Sequence, residues 1–374
     1  MKIAMVGHKH VPGREGGVEI VVGELAIRMA ALGYDVTAYN RSGHHVAGSE
    51  YDEEELDQYK GVRIKVVPTI PKRGFAALSS SFFACLYAAL GDYDIVHIHA
   101  EGPARFSFIP KLFHKKVIVT IHGLDWKREK WGRLASYYIR GGERNAVKYA
   151  DSIIVLSRGI QDYFKNVYNR ETVYIPNGVR KPFPMKPEQI KKLWGLEKDS
   201  YILFVGRLVP EKGIQYLLKA WKQIKSDKKL VLAGGESDAN EFAKTIKSLA
   251  DERTIFTGFV QGQVLVELYS NAYIYCLPTD LEGMPLTLLE AMSYGNCCLT
   301  SDIAECTDVV RDKAVTFRKS DTEDLQRKLE SLLSDPERVS RIKAEASDYI
   351  CNKYDWDNVV RETLELYWDT KKGE

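Results

Sequence analysis

Short, nearly unbroken apolar runs alternate along this chain with stretches whose apolar positions recur at helical spacing. Residues 2–6 form such a run, residues 18–32 are amphipathic and end at Gly33, and residues 35–39 are apolar again. Strand, helix, strand is the order this predicts. Further runs at 62–67, 95–99, 117–121, 152–156 and 172–175 continue the alternation. Continuous rather than alternating hydrophobicity suits strands buried on both faces, as in a parallel sheet wrapped by helices. Turn residues then cluster at Pro176-Asn177-Gly178 and at Lys181-Pro182-Phe183-Pro184, and a second series opens with runs at 201–205, 229–233, 254–257 and 272–277. The predicted fold class is therefore α/β, with two doubly wound, Rossmann-like parallel-sheet domains over residues 1–180 and 181–354. At the end of the chain, Trp356, Val359, Val360, Leu364, Leu366, Tyr367 and Trp368 repeat at helical spacing. A helix over about 355–374 is too apolar for solvent and is expected to pack back on the first domain.

Composition supports this division. A single hydrophobic core stops growing at roughly 250 to 300 residues, and the chain has 374, with 45% hydrophobic content. Its net charge of +2 argues against a nucleic-acid partner. The sign is uneven: residues 1–180 carry 25 Lys and Arg against 19 Asp and Glu, and the rest carry 28 against 32. The six cysteines show no C-x-x-C spacing, which points to a reducing, cytoplasmic compartment. The opening apolar stretch meets His8-Lys9-His10 before it reaches the length of a signal peptide. The longest apolar run, residues 82–90, is about half of what a bilayer requires. Basic and aromatic residues interleave from Arg105 to Lys116, a pattern that fits peripheral contact with the inner face of a membrane as well as helix packing. The acidic residues 52–55 read as a solvated loop.

Ligands of doubly wound sheets bind beyond the carboxyl ends of the strands, so the loops after each apolar run carry the candidate chemistry. The first contains Gly7, Gly13, Gly16 and Gly17 before a helix, an arrangement that favours an anion. It lacks G-x-G-x-x-G and G-x-x-x-x-G-K-[ST], which excludes the dinucleotide and P-loop signatures. The second is His122-Gly123-Leu124-Asp125-Trp126, whose imidazole is expected to leave the strand facing a ligand, whereas His97 and His99 read as buried sheet residues. The third, Gly206-Arg207 through Lys212-Gly213, puts two cations at a strand exit. Together they can bracket the two phosphoryl groups of a departing diphosphate. The fourth runs from Glu282 through Gly283, Met284, Pro285 and Leu286 to Glu290, with Pro285 expected at the first helical position. A glycosidase pair needs carboxylates roughly 5 to 9.5 Å apart; eight positions across a loop and a helix suit two separate tasks better, with Glu290 accepting from ribose hydroxyls.

With these loops in this order, the chain resembles the family-4 retaining glycosyltransferases of the GT-B fold, in which two such domains face across a cleft. The match runs from Gly16-Gly17 through His122-Gly123, Pro176-Asn177-Gly178-Val179 and Gly206-Arg207 to the Glu-x7-Glu of Glu282 and Glu290. The segment from Ile121 to Trp126, with Lys130-Trp131-Gly132, looks like a bacterial subgroup of rhamnosyl- and related transferases of capsule, exopolysaccharide and cell-wall glycan assembly. The resemblance implies that Arg207 and Lys212 hold the donor diphosphate, that Glu290 holds the ribose and that Glu282 contacts hydroxyls of the transferred sugar. It further implies that the Gly283–Leu286 backbone approaches sugar and phosphate, that His122 contacts the donor sugar near the attacking hydroxyl, and that the first glycine-rich loop covers phosphates or acceptor. Gly123 and Asp125 fall on the acceptor side, and the first and second domains take acceptor and donor respectively. The partners implied are a UDP-, dTDP- or GDP-sugar and a glycan or lipid-linked sugar acceptor. Members of the family need no metal, and Asp92-Tyr93-Asp94 precedes a strand, as a turn does, rather than following one. Met284 departs from the Phe of many relatives. The expected reaction is hexosyl transfer with retention. An epimerase or phosphorolytic enzyme on the same fold, and a non-catalytic sugar-nucleotide-binding protein, are the competing readings.

Overall fold

The computed structural model describes residues 1–14, 16–43, 56–72, 74–127, 132–235 and 240–369. The acidic residues 52–55 and Lys130-Trp131 lie outside the described residues. The chain divides into two compact units, Met1–Asn177 with Trp356–Glu374, and Gly178–Asp355.

The first unit is built on β1 (Lys2–Val6), β2 (Asp35–Arg41), β3 (Gln58–Tyr59), β4 (Val62–Val67), β5 (Ile95–His99), β6 (Lys116–Ile121), β7 (Ser152–Val155) and β8 (Val173–Tyr174). They form one sheet in the order β3-β4-β2-β1-β5-β6-β7-β8. Only the short β3 runs antiparallel to its neighbour among the described strands. Strand order reverses between β1 and β5, which pair in parallel. Every residue of β5 is buried, and so are the last four of β1. Helices cover both faces of these strands, which is why the apolar runs do not alternate. On one face Ala84, Cys85, Ala88 and Ala89 of the helix Phe75–Leu90 pack against Val6, Val96 and Ile98. Their small side chains let that helix lie close to the sheet. The terminal helix Trp356–Asp369 belongs to this unit. It buries Trp356, Val359, Val360, Leu364 and Tyr367, and Asp357 pairs with Arg28 of the first helix, Gly17–Ala31.

The second unit carries β9 (Tyr201–Val205), β10 (Lys229–Ala233), β11 (Thr254–Gly258), β12 (Ile274–Leu277), β13 (Cys297–Ser301) and β14 (Val315–Phe317). Their order is β11-β10-β9-β12-β13-β14, with reversal between β9 and β12. The apolar pattern misses β13 and β14. The first reads Cys-Cys-Leu-Thr-Ser, whose small and hydroxyl side chains give no β-branched run although all five are buried; the second is three residues long. Cys85, Cys276, Cys297, Cys298 and Cys306 are buried free thiols, and Cys351 is half-buried and free. Burial pushes all six thiols above their ordinary value.

In the stretch from Arg105 to Lys116, Phe106 and Phe108 pack against the core, whereas Leu112 and Phe113 are exposed. Asp92 and Asp94 both bind Lys2, through its side chain and its backbone N–H. Among the described residues, no helix is long and apolar enough to cross a membrane.

Candidate functional site

The chemistry-bearing residues of the second unit gather where its strand order reverses. β9 and β12 are neighbours there, so the loops that leave their carboxyl ends come together although about 70 residues separate them in sequence. Contact between the loops is made by backbone. Asp280 N–H donates to Glu211 O at 2.8 Å, and Thr279 Oγ1 donates to the same carbonyl at 3.1 Å. Gly213 adopts φ +68, and a Cβ placed there would lie 1.8 Å from Pro278 O. Only glycine lets the two chains approach this closely. Asp280 is held in turn by Tyr216 Oη at 2.9 Å and Ser320 Oγ at 2.7 Å.

On this frame Lys212 Nζ pairs with Glu282 Oε1, and their side chains are only 13% and 9% exposed. The two residues were expected to serve different parts of a donor. In the structure each holds the other, so the ammonium is oriented before any ligand arrives. Arg207 is half-buried at the exit of β9, just after Gly206, whose N–H donates to Ala233 O at 2.9 Å. Gly283, Met284, Pro285 and Leu286 are buried. Pro285 is the N-cap of the helix Leu286–Ser293 and not its first helical residue: its ψ of 96 is extended, so the helix begins one position later than the sequence suggests. Glu290 lies on that helix and accepts from Tyr269 Oη at 3.2 Å. Tyr269 stacks on Tyr294 with ring centroids 5.4 Å apart and planes 11° from parallel. That stack fixes the phenol, and through it the carboxylate.

In the first unit the loop after β1 is pinned by buried polar groups. Asn40 Oδ1 accepts from Val11 N–H at 3.0 Å and pairs with His8 Nε2 at 3.1 Å, while Asn40 Nδ2 donates to Val11 O at 3.1 Å. Glu19, in the first turn of the helix Gly17–Ala31, accepts from Lys9 N–H at 3.1 Å. Gly16 is the extended N-cap of that helix and Gly17 its first residue.

His122 leaves β6 half-buried, and Gly123 behind it is buried. Burial lowers the imidazole to about 4, Asp125 opposing in part, so the ring is neutral at neutral pH. His122 Nε2 meets His99 Nδ1 at 3.1 Å. His97 and His99 are fully buried, as sheet residues should be, but His99 touches the candidate site directly. Two residues that sequence reasoning passed over hold the loop that follows. Glu101 and Glu143 are both fully buried. Glu101 Oε2 accepts from Asp125 N–H at 2.8 Å; Glu143 accepts from Trp126 Nε1 at 3.0 Å and from Tyr163 Oη at 2.7 Å. Burial, Asp125 and Glu143 push the Glu101 carboxyl well above the usual range. The Arg140 guanidinium lies 4.9 Å from the centre of the Trp126 ring. Glu101 directly follows a strand exit, which was the available signal; Glu143 sits mid-helix and gave none.

Two α/β units, each built on a largely parallel sheet with polar loops at the strand exits, define a class, and comparison with known proteins gives it a name. Residues 15–181 match the glycosyltransferase family 4 profile, and residues 185–349 match glycosyl transferases group 1. Alpha-maltose-1-phosphate synthase of Mycolicibacterium smegmatis is 25% identical over 402 residues, covering 98% of this chain and 99% of that protein. Among solved structures, sucrose-phosphate synthase from Thermosynechococcus elongatus superposes with a TM-score of 0.82 at 20% identity, over 100% of both chains. Anabaena HepE in complex with UDP and glucose superposes with a TM-score of 0.81 at 16% identity, over 98% of this chain and 99% of that one. The chain is a glycosyltransferase with the GT-B fold.

Proposed function

We propose that the chain moves a hexosyl group from a nucleotide-diphosphate sugar to an acceptor hydroxyl with retention of configuration, in capsule, exopolysaccharide or cell-wall glycan assembly. The observation that carries this reading is the largely buried Lys212–Glu282 pair, whose lysine lies on the strand-exit loop that also carries Arg207, where the second sheet reverses. A diphosphate arriving there offers Lys212 a partner of higher charge than one carboxylate. Glu282 is then released toward the sugar hydroxyls, and Glu290, steadied by Tyr269, takes the ribose. The HepE complex with UDP and glucose supports a nucleotide-sugar donor on this fold.

In the reaction, the bond between the anomeric carbon and the phosphate oxygen breaks, and the electron pair leaves with the diphosphate. A new bond forms from the acceptor oxygen on the same face, and the acceptor proton passes to the departing phosphate oxygen. Arg207 and Lys212 stabilise the growing negative charge, so the step calls for neither a metal nor an enzyme nucleophile. We assign His122 a role toward the transferred sugar, and Gly123 and Asp125 a role toward the acceptor.

The test is a thermal-shift screen of UDP-, dTDP- and GDP-sugars, followed by product analysis with the stabilising donor and glycan acceptors. A ligand at 100 times its Kd raises stability by about 2.7 kcal/mol. Replacing Lys212 by Ala is expected to lower kcat by roughly 10²- to 10³-fold with the fold retained. Unchanged turnover in that variant removes the diphosphate role, and turnover of the donor with no acceptor present favours an epimerase.

A further inference from the structure

His97 and His99 lie two positions apart on β5, with ring centroids 4.1 Å apart, and the His99 ring lies 5.4 Å from that of His122. Two neighbouring strands supply this row, because His99 pairs in register with Thr120 and His122 follows two residues later. His97 satisfies both its nitrogens: Nδ1 with Tyr367 Oη at 2.5 Å and Nε2 with Thr120 Oγ1 at 2.7 Å. His99 satisfies one. Its Nδ1 meets His122 Nε2 at 3.1 Å, while its Nε2 is buried with no hydrogen-bond partner among the described residues.

A neutral imidazole has one N–H, so the contact between the two rings has two possible arrangements. If His122 Nε2–H donates to His99, then His99 must carry its own proton on Nε2, as a buried N–H with no acceptor. Orphaned buried N–H groups are rare in folded proteins, and a bare acceptor lone pair is more readily tolerated. His8 does not rescue the first arrangement. Its Nε2 is committed to Asn40, its Nδ1 is itself buried without a partner, and no hydrogen bond joins it to His99 among the described residues. Burial keeps His8, His99 and His122 neutral, so neither ring gains a second proton near neutral pH.

We propose that His99 is a positioning residue that donates from Nδ1 to His122 Nε2 and so fixes His122 as the Nδ1-protonated tautomer, which meets its ligand as a hydrogen-bond donor. His122 then cannot accept a proton through the nitrogen it presents. Its task is to orient or polarise a hydroxyl or an oxygen, and the acceptor proton goes elsewhere. The functional half of this inference rests on the glycosyltransfer reading above; the tautomer does not.

Two-bond hydrogen–nitrogen correlation spectra of the imidazoles in the full-length, ¹⁵N-labelled protein test the tautomer directly, with His122 assigned through a His122→Gln sample. The expected result is a protonated Nδ1 and a bare Nε2 for His122, with a bare Nε2 for His99. A protonated Nε2 on His122 overturns the proposal. Kinetics test the positioning role: His99→Asn places an amide donor near the Nδ1 position, and His99→Leu removes it. With melting temperatures matched to within a few degrees, kcat is expected to fall about tenfold in the Leu variant and to be largely restored in the Asn variant, with the donor KM little changed. Equal loss in both variants overturns the positioning role. An absence of transfer by the wild type with every donor fails the proposed reaction and leaves the spectroscopic result standing.

Discussion

At the scale of single residues, the site depends on side chains that are absent as much as on those present. Gly213 and Gly258 share a left-handed backbone, with φ +68 and +70, but a Cβ on Gly213 would strike Pro278 O whereas one on Gly258 meets nothing within 4 Å. Gly258→Ala therefore carries only the conformational cost, about 1 kcal/mol. Gly213→Ala must also force apart the loops that bear Lys212 and Glu282, and is expected to cost about 3 kcal/mol. Urea unfolding of the two variants checks this; equal losses would mean that the close approach contributes nothing. The glycine was legible in the sequence as a turn residue. Its partner carbonyl was not, because it lies 65 positions away and only the sheet order brings it near.

At the scale of elements, one carboxylate joins two helices of the second unit. Glu267, on the helix Gly262–Asn271, accepts from the N–H groups of Glu188, Gln189 and Ile190 at 3.0, 2.7 and 3.1 Å. These open the helix Gln189–Trp194, whose own N-cap makes no side-chain cap. Burial alone would raise this carboxyl, but the hydrogen bonds from Ile190, Gln263, Gln189 and Glu188 outweigh it and the group is lowered. A lowered carboxyl contributes stability that is present above its unfolded value, near 4.3, and is lost as pH falls through the folded value. Glu267→Gln is expected to cost about 2 kcal/mol at pH 7. The gap to wild type should narrow as pH falls below the unfolded carboxyl value and through the lowered folded one, as measured by denaturant titration. A gap independent of pH would show that shape rather than charge makes the cap. No spacing in the sequence marks Glu267, since a cap supplied from another helix leaves no local pattern.

At the scale of the whole molecule, the two units differ in their response to acid. All eight histidines precede residue 123, so the second unit has none. In the first unit burial lowers His8 and His122 to about 4 and His97 to about 3, and holds His99 well below its ordinary value. The unfolded rings take up protons near 6.5 and the folded ones only below these values, so stability falls as pH drops from about 6.5 toward 4. Each ring contributes up to about 1.4 kcal/mol per pH unit. Glu101, raised by burial, works in the opposite sense, but as one group against four. Pulse proteolysis in urea at pH 7 and pH 5 is expected to show the first unit losing stability while the second changes little. An unchanged first unit would mean that these rings already take up protons in the folded state, and a parallel loss in both units would mean that groups other than the histidines carry it.

The sequence by itself determined the two-sheet α/β architecture, because strands buried on both faces must be apolar throughout and the helices between them must be amphipathic. It also located the loops at the strand exits, since glycine, proline and charge interrupt those patterns there. The tertiary structure decided which of these residues touch. Lys212 meets Glu282 because β9 and β12 are neighbours, His122 meets His99 because β5 and β6 are, and Tyr367 reaches His97 because the last helix returns to the first unit. Strand order and helix docking are set by long-range packing, which leaves no periodicity along the chain, so contacts that depend on them could not be read from it.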